Sequence, residues 1–239
     1  SRSSIVKFSN RIMKGRGSPG RSGANHKEGR VRIIYPENIW IKSMRSEETL
    51  DSSGDRTDRD DKQFFFPNKD GEPDFSKWLI AQYTKTCYKL VLNNLEYRRI
   101  LIISRTNRIC DGVSLEEFFA KLKGCFPVGA KNQVQRKVGI LTAHRSKGQE
   151  ADMVIVLRAV TGSFPLIHPD TTLFEIFGES VADAIEEERR LFYVACTRAK
   201  EKLFIVTEHQ KETDFLREMG SVSIGTVGEE LVAGGPGYE

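Results

Sequence analysis

The hydrophobic positions along this chain follow two rhythms. Several short runs are apolar almost without a break: RVRIIY near residue 31, ILIIS at 100–104, VGIL at 138–141, MVIVL at 153–157 and LFIV at 203–206. A strand that shows polar residues on neither face is one covered on both, as in a sheet sandwiched by helices. Other stretches repeat every three to four residues. SSIVKFSNRIMKG puts Ile5, Phe8, Ile12 and Met13 on one helical face, with Gly15 as a stop. FSKWLIAQYTKTCYKLVLNN spaces Phe75, Trp78, Leu79, Tyr83, Cys87, Leu90 and Val91 in the same way, which predicts a long amphipathic helix. Ser114-x-x-Glu117 is a capping box ahead of Phe118, Phe119 and Leu122, with Gly124 as the stop. A further helix is expected near 183–196, with Asp183-x-x-Glu186 as its box. Helices alternating with solid apolar strands specify an α/β fold whose sheet is mostly parallel.

Two stretches break the rhythm. Residues 43–74 are charged apart from the aromatic island Phe64 to Phe66, and read as a long loop or insertion. The glycine-rich tail 220–239 has no period and is expected to be disordered. The remaining 1–219 are expected to form one α/β unit. The segment GRGSPGRSG is read as a flexible basic loop.

Composition changes this picture little. The 239 residues are 38% hydrophobic and 29% charged, with a net charge of +4, which describes an ordinary globular protein. Its distribution is more telling. Residues 1–32 hold nine Lys and Arg against the single acid Glu28, and residues 46–74 hold ten acids against four cations. A positive side of this kind is compatible with nucleic acid. No apolar run of about eighteen residues exists, so no membrane span is expected. Cys87, Cys110, Cys125 and Cys196 form no CxxC pair and have no histidine at zinc-like spacing. They are read as reduced packing residues of a cytoplasmic protein, and no metal site is expected.

Polar chemistry gathers at two places. TAHRSKGQEADMVIV starts at Thr142 and sets a charged loop directly after the VGIL strand. In parallel α/β sheets ligands bind beyond the carboxyl ends of strands, so the whole HRSKGQE loop is expected on that side. Gly148 would let backbone come close to backbone or phosphate, Arg145 and Lys147 offer positive charge, and Glu150 offers an acceptor. The second place is EEERRLFYVACTRAK, residues 186–200. Its apolar positions pack a helix on the sheet, while Glu186 to Arg190 read alone as a salt-bridged helix surface. Arg198 falls just before the last strand, where a guanidinium suits either a structural role or phosphate oxygens.

Both blocks, in this order, resemble motifs V and VI of superfamily 1 DNA helicases of the UvrD/Rep family, with spelling most similar to the DNA helicase IV branch. SRSSIVKFSN resembles the segment that follows motif IV, and ILIISRTN the family strand ending in RTN. The likeness runs from residue 1 to about 208 and is densest in 138–206. It implies a RecA-like domain of the P-loop NTPase type, namely the second motor domain of a helicase or translocase, working 3′ to 5′ and associated with DNA repair. Arg198 matches the arginine finger. Glu150, with Gly148 beside it, matches the motif V position near the nucleotide. Thr142, His144, Arg145 and Lys147 match or adjoin positions that touch DNA. The implied cofactor is ATP with Mg2+, held mainly by an N-terminal RecA-like domain of the same protein. The implied partners are that domain and single-stranded or duplex DNA, with a nucleoid association if bacterial.

Departures from the family qualify these expectations. G-x-x-x-x-G-K-[S/T] is absent from the sequence, so the chain alone is expected neither to bind nor to hydrolyse ATP. The motif IV arginine would fall one position before Ser1, with Arg2 out of register. The interval before motif V is short for an inserted 2B subdomain, and Gln149 and Ala151 replace the usual apolar and aromatic neighbours. Two other readings stay open. One is a non-catalytic nucleic-acid-binding or docking module of the same fold. The other is a RecD-type 5′-to-3′ helicase or part of a helicase–nuclease.

Overall fold

Five parallel strands carry the fold: β1 (Arg30–Ile34), β2 (Ile100–Ser104), β5 (Val138–Thr142), β6 (Ala151–Val156) and β7 (Ala199–Val206), ordered β1-β7-β6-β2-β5. Two further short strands, β3 (Arg108–Cys110) and β4 (Val113–Ser114), form a separate antiparallel pair. This computed structural model describes residues 3–13, 16, 29–36, 75–110, 112–167 and 180–219. Gly15, most of the glycine-rich basic loop, the acidic segment 43–74 and the tail 220–239 lie outside those residues.

The helices are α1 (Ser3–Ile12), α2 (Phe75–Leu92), α3 (Leu115–Gly124), α4 (Val128–Lys137), α5 (Val181–Thr197) and α6 (Asp214–Arg217). Strand side chains alternate between faces. Ile100, Ile102, Met153, Ile155, Phe204 and Val206 therefore meet Leu79 and Tyr83 of α2, Phe118 of α3 and Val134 of α4. Their neighbours Leu101, Ile103, Val154, Val156, Leu203 and Ile205 meet Ile5 and Phe8 of α1, Leu191 and Phe192 of α5 and Phe215 of α6. Each large apolar side chain so enclosed contributes roughly 1.5–3 kcal/mol. That is the physical reason for the uninterrupted apolar strands, and the expected α/β sandwich is the one observed.

Local signals fare unevenly. The capping box is present: the Ser114 hydroxyl accepts from Glu117 N–H at 3.1 Å, and Ser114 N–H donates to the Glu117 carboxylate at 2.9 Å. The box assigned to Asp183 and Glu186 is displaced by one turn. Ser180 is the N-cap of α5 and accepts from Asp183 N–H at 3.1 Å, so Asp183 already lies inside the helix. Cys87, Cys110 and Cys196 are buried as expected; Cys125 is exposed and ends α3 instead of packing beneath it.

The carboxyl edge of the sheet is closed by ion pairs. Arg105, after β2, forks onto Glu188 of α5 at 2.7 and 2.5 Å. Beyond β6 and β7, buried Glu208 accepts from the Tyr83 hydroxyl at 2.8 Å and meets Arg158 at 3.9 Å. Burial, and then the Glu208 carboxylate, raise the Tyr83 hydroxyl well above its ordinary value.

Candidate functional site

The loop 143–150 does not stay on one side of the sheet. It leaves the carboxyl end of β5 and enters the amino end of β6, and these parallel strands have β2 between them. Strand direction leaves no alternative: the loop must cross back over the full height of the sheet. It does so beneath α5, where Ala143 and Ala151 join the same core as Leu191 and Phe192. The expectation that all of HRSKGQE lies on the carboxyl side is therefore corrected. Thr142, His144 and Arg145 lie near that side, while Glu150 lies on the amino side.

The carboxyl half of the loop is pinned from within. Ala143 N–H donates to Ser104 O at 2.7 Å. His144–Ser146 makes one 3-10 turn, with Ser146 fully buried and its hydroxyl donating to Ala143 O at 2.6 Å. Thr142 is buried at 8% exposure, and its hydroxyl accepts from Arg145 N–H at 3.4 Å. Thr142 thus shapes the turn more than it faces outward. His144, Arg145 and Lys147 are exposed, and their side chains make no hydrogen bond or ion pair among the described residues.

Gly148 follows with φ +76°, a left-handed conformation that strains any side chain. A Cβ placed there would meet nothing within 4 Å. The glycine serves the bend of the chain, and no described protein atom lies close to where its side chain would stand.

At the amino edge the two sequence blocks meet. Ala151 N–H donates to Arg198 O at 3.1 Å, joining the end of the loop to the α5–β7 turn. Arg198 is the C-cap of α5 and is partly buried. Its Nε donates to Val194 O at 3.0 Å, Nη1 to Gln149 O at 3.4 Å and Nη2 to the Thr197 hydroxyl at 3.3 Å. Three of the five guanidinium N–H groups are so engaged, and both terminal nitrogens keep a donor in reserve. Glu150 is exposed and pairs with Lys200 at 3.1 Å. The hydrogen bond from Lys200, with the nearby charges of Lys200 and Arg198, holds the Glu150 carboxyl below the usual glutamate value.

The reading of Glu186 to Arg190 as a surface pattern needs correction. Glu188 and Arg189 are buried, because α1, α6 and the chain after β2 pack over that side of α5. Arg189 contacts Ile12 O, Glu186 and Glu218, and lies 4.5 Å over the Phe215 ring. Sequence reasoning also passed over Lys200 as the partner of Glu150. The pairing arises because Ala151 N–H joins the Arg198 carbonyl, which sets the residues before β6 beside the start of β7, and no local pattern signalled it.

Residues 127–210 match the model of the UvrD-like helicase C-terminal domain, a stretch that contains both halves of this site. This part of the chain is similar to the UvrD-like helicase C-terminal domain. The chain is also similar to DNA helicase IV of Escherichia coli, 32% identical over 91 residues, covering 37% of this chain and 13% of that protein. A Mycoplasma pneumoniae protein described as a "Probable DNA helicase" is 33% identical over 135 residues, covering 55% of this chain and 21% of its own. The Bacillus subtilis "Putative ATP-dependent DNA helicase YjcD" is 48% identical over 68 residues, covering 28% and 8%. The matches span about a fifth or less of the length of these relatives.

The donor set at this amino edge fits one wall of a nucleotide site. A permanently charged guanidinium with donors to spare stands beside an exposed carboxylate. A phosphate-cradling glycine loop is absent from the sequence. Among the described residues no cluster of His, Cys, Asp and Glu could hold a metal ion, and no helix is long and apolar enough to cross a membrane.

Proposed function

We propose that this chain supplies the second wall of an ATP site and a strand-contacting loop to an ATP-dependent DNA helicase that moves 3′ to 5′. ATP with Mg2+, held mainly by another motor domain of the same protein, would bring the phosphoryl group to be transferred. The observation that carries the reading is the hydrogen bond from Ala151 N–H to Arg198 O. It holds the turn that bears Arg198 against the loop that bears Glu150.

Arg198 stays charged at any working pH. Its spare donors would neutralise charge that develops on a phosphoryl oxygen, a role worth roughly 10³–10⁵ in rate in enzymes that use an arginine finger. Glu150 would accept a hydrogen bond from a nucleotide hydroxyl, with Gly148 giving the loop its bend. His144, Arg145 and Lys147 would lie along a strand backbone, the two cations by charge, and Thr142 would set the turn that presents them. No covalent step falls to this chain.

The test is made in the full-length parent. Arg198→Ala should abolish DNA-stimulated ATP hydrolysis and leave single-strand affinity nearly intact, and the purified chain on its own should show no turnover. Equal hydrolysis rates in variant and wild type would end the assignment. Unwinding of 3′-tailed but not 5′-tailed duplex supports the polarity, and the reverse preference overturns it.

A further inference from the structure

A second binding feature lies outside the loop and the arginine turn. Strand β5 is an edge strand. Beside it runs an open groove of about 520 Å³, walled by Arg98, Arg99, Arg136, Lys137 and Arg145. Its floor is formed by Leu101 together with Gly139 and Leu141 of β5. Gly139 keeps that floor low, since a Cβ there would come 3.0 Å from Leu101 Cδ2.

The charge of this groove is of one sign. None of the five cations forms an ion pair among the described residues. Arg99 donates to the Gln149 side chain at 2.5 Å and Lys137 to Leu95 O at 2.6 Å, both neutral acceptors. The nearby carboxylate of Asp152 is spent on the backbone N–H groups of Arg98 and Arg99, each at 3.1 Å. Arg98, Arg136 and Arg145 are exposed and hold no side-chain partner. Unpaired cations converging on a cleft repel one another, and a polyanion relieves that repulsion. Four of the five are arginines, whose forked donors suit phosphate oxygens.

We propose that this groove is a path for the sugar–phosphate backbone of single-stranded DNA, running from Arg145 along the edge of β5 to Arg98 and Arg136. The inference rests on the reading that the His144–Lys147 turn contacts DNA, because Arg145 belongs to both that turn and the groove. The path then continues the loop contact toward the amino edge of the sheet. Bases would face the apolar floor or solvent, and the contacts would read charge, not sequence.

The test measures binding of a fluorescein-labelled 20-nucleotide oligo-dT to the full-length parent over a series of KCl concentrations. Each phosphate contact on a single strand contributes about 0.7 to the slope of log affinity against log salt. The double variant Arg98→Ala/Arg136→Ala should lower that slope by about 1.4 and weaken binding at low salt. Both side chains are exposed and unpartnered, so thermal unfolding should be unchanged. A parallel variant, Arg145→Ala/Lys147→Ala, tests the loop. If the loop variant loses affinity and the groove variant keeps the wild-type slope, the groove proposal is wrong and the helicase reading stands. If neither variant changes the slope, both fail. An unchanged slope, with the groove variant instead losing affinity for a poly-glutamate peptide, would assign the groove to an acidic polypeptide and overturn the proposal.

Discussion

Arg189 and Arg198 belong to one helix and its cap, yet they have opposite surroundings. Arg189 has 3% of its side chain exposed and is held by Glu186, Glu218, Ile12 O and the Phe215 ring. It fastens α1 and α6 to α5. Arg198 is only partly buried, spends its three bonds on nearby carbonyl and hydroxyl oxygens, and forms no ion pair with a carboxylate among the described residues. Its charge is positioned but not neutralised. An arginine whose charge is cancelled inside the protein serves folding, and one held by neutral acceptors remains available to an anion. Residue type and neighbourhood in the sequence do not distinguish the two; the partners do.

The sharpest way to break this contrast is to remove each guanidinium. Arg189→Ala should cost about 3 kcal/mol of stability, since it empties a buried position that joins three helices. Arg198→Ala should cost about 1 kcal/mol or less, three bonds to neutral groups being lost at a partly buried site. Urea unfolding of the two variants decides it, and similar losses would erase the distinction. A smaller effect tests the loop between the two edges. Gly148→Ala should destabilise by about 1 kcal/mol through its left-handed backbone, with no steric clash to add. A loss several times larger in the same unfolding assay would mean that the position is crowded.

The smallest effect concerns Glu150. Its carboxyl is held below the ordinary value chiefly by Lys200. A depressed folded value gives stability that is present above the unfolded glutamate value and lost as pH falls through the folded one. Both side chains are half-exposed, so water and salt screen the pair and little stability is at stake. Lys200→Ala should therefore move the Glu150 titration, followed by NMR, upward toward the ordinary value while leaving the unfolding midpoint in place. An unmoved titration would show that another group holds the carboxylate.

The strands were legible because burial on both faces leaves an uninterrupted apolar run, and ILIIS and MVIVL have no other simple explanation. Ser114 was legible as a cap because its box sits at the boundary of a clear helical period. Asp183 was not. Ser180-x-x-Asp183 and Asp183-x-x-Glu186 satisfy the same local rule, and the backbone conformation of Ser180 decides between them. The burial of Glu188 and Arg189 depends on α1, α6 and Arg105, all distant along the chain. The division of the loop between two edges depends on strand order, which no local pattern encodes. The groove beside β5 was hidden for a similar reason. Its cations come from 98–99, 136–137 and 145, and they converge because β5 lies at the border of the sheet.

The hydrogen bond between Ala151 and Arg198 has a mechanical corollary. Six peptide units separate Glu150 from His144, and Ser146 is anchored between them. The α5–β7 turn is therefore joined to the exposed histidine by a short covalent path that passes through the left-handed Gly148 and the buried Ser146.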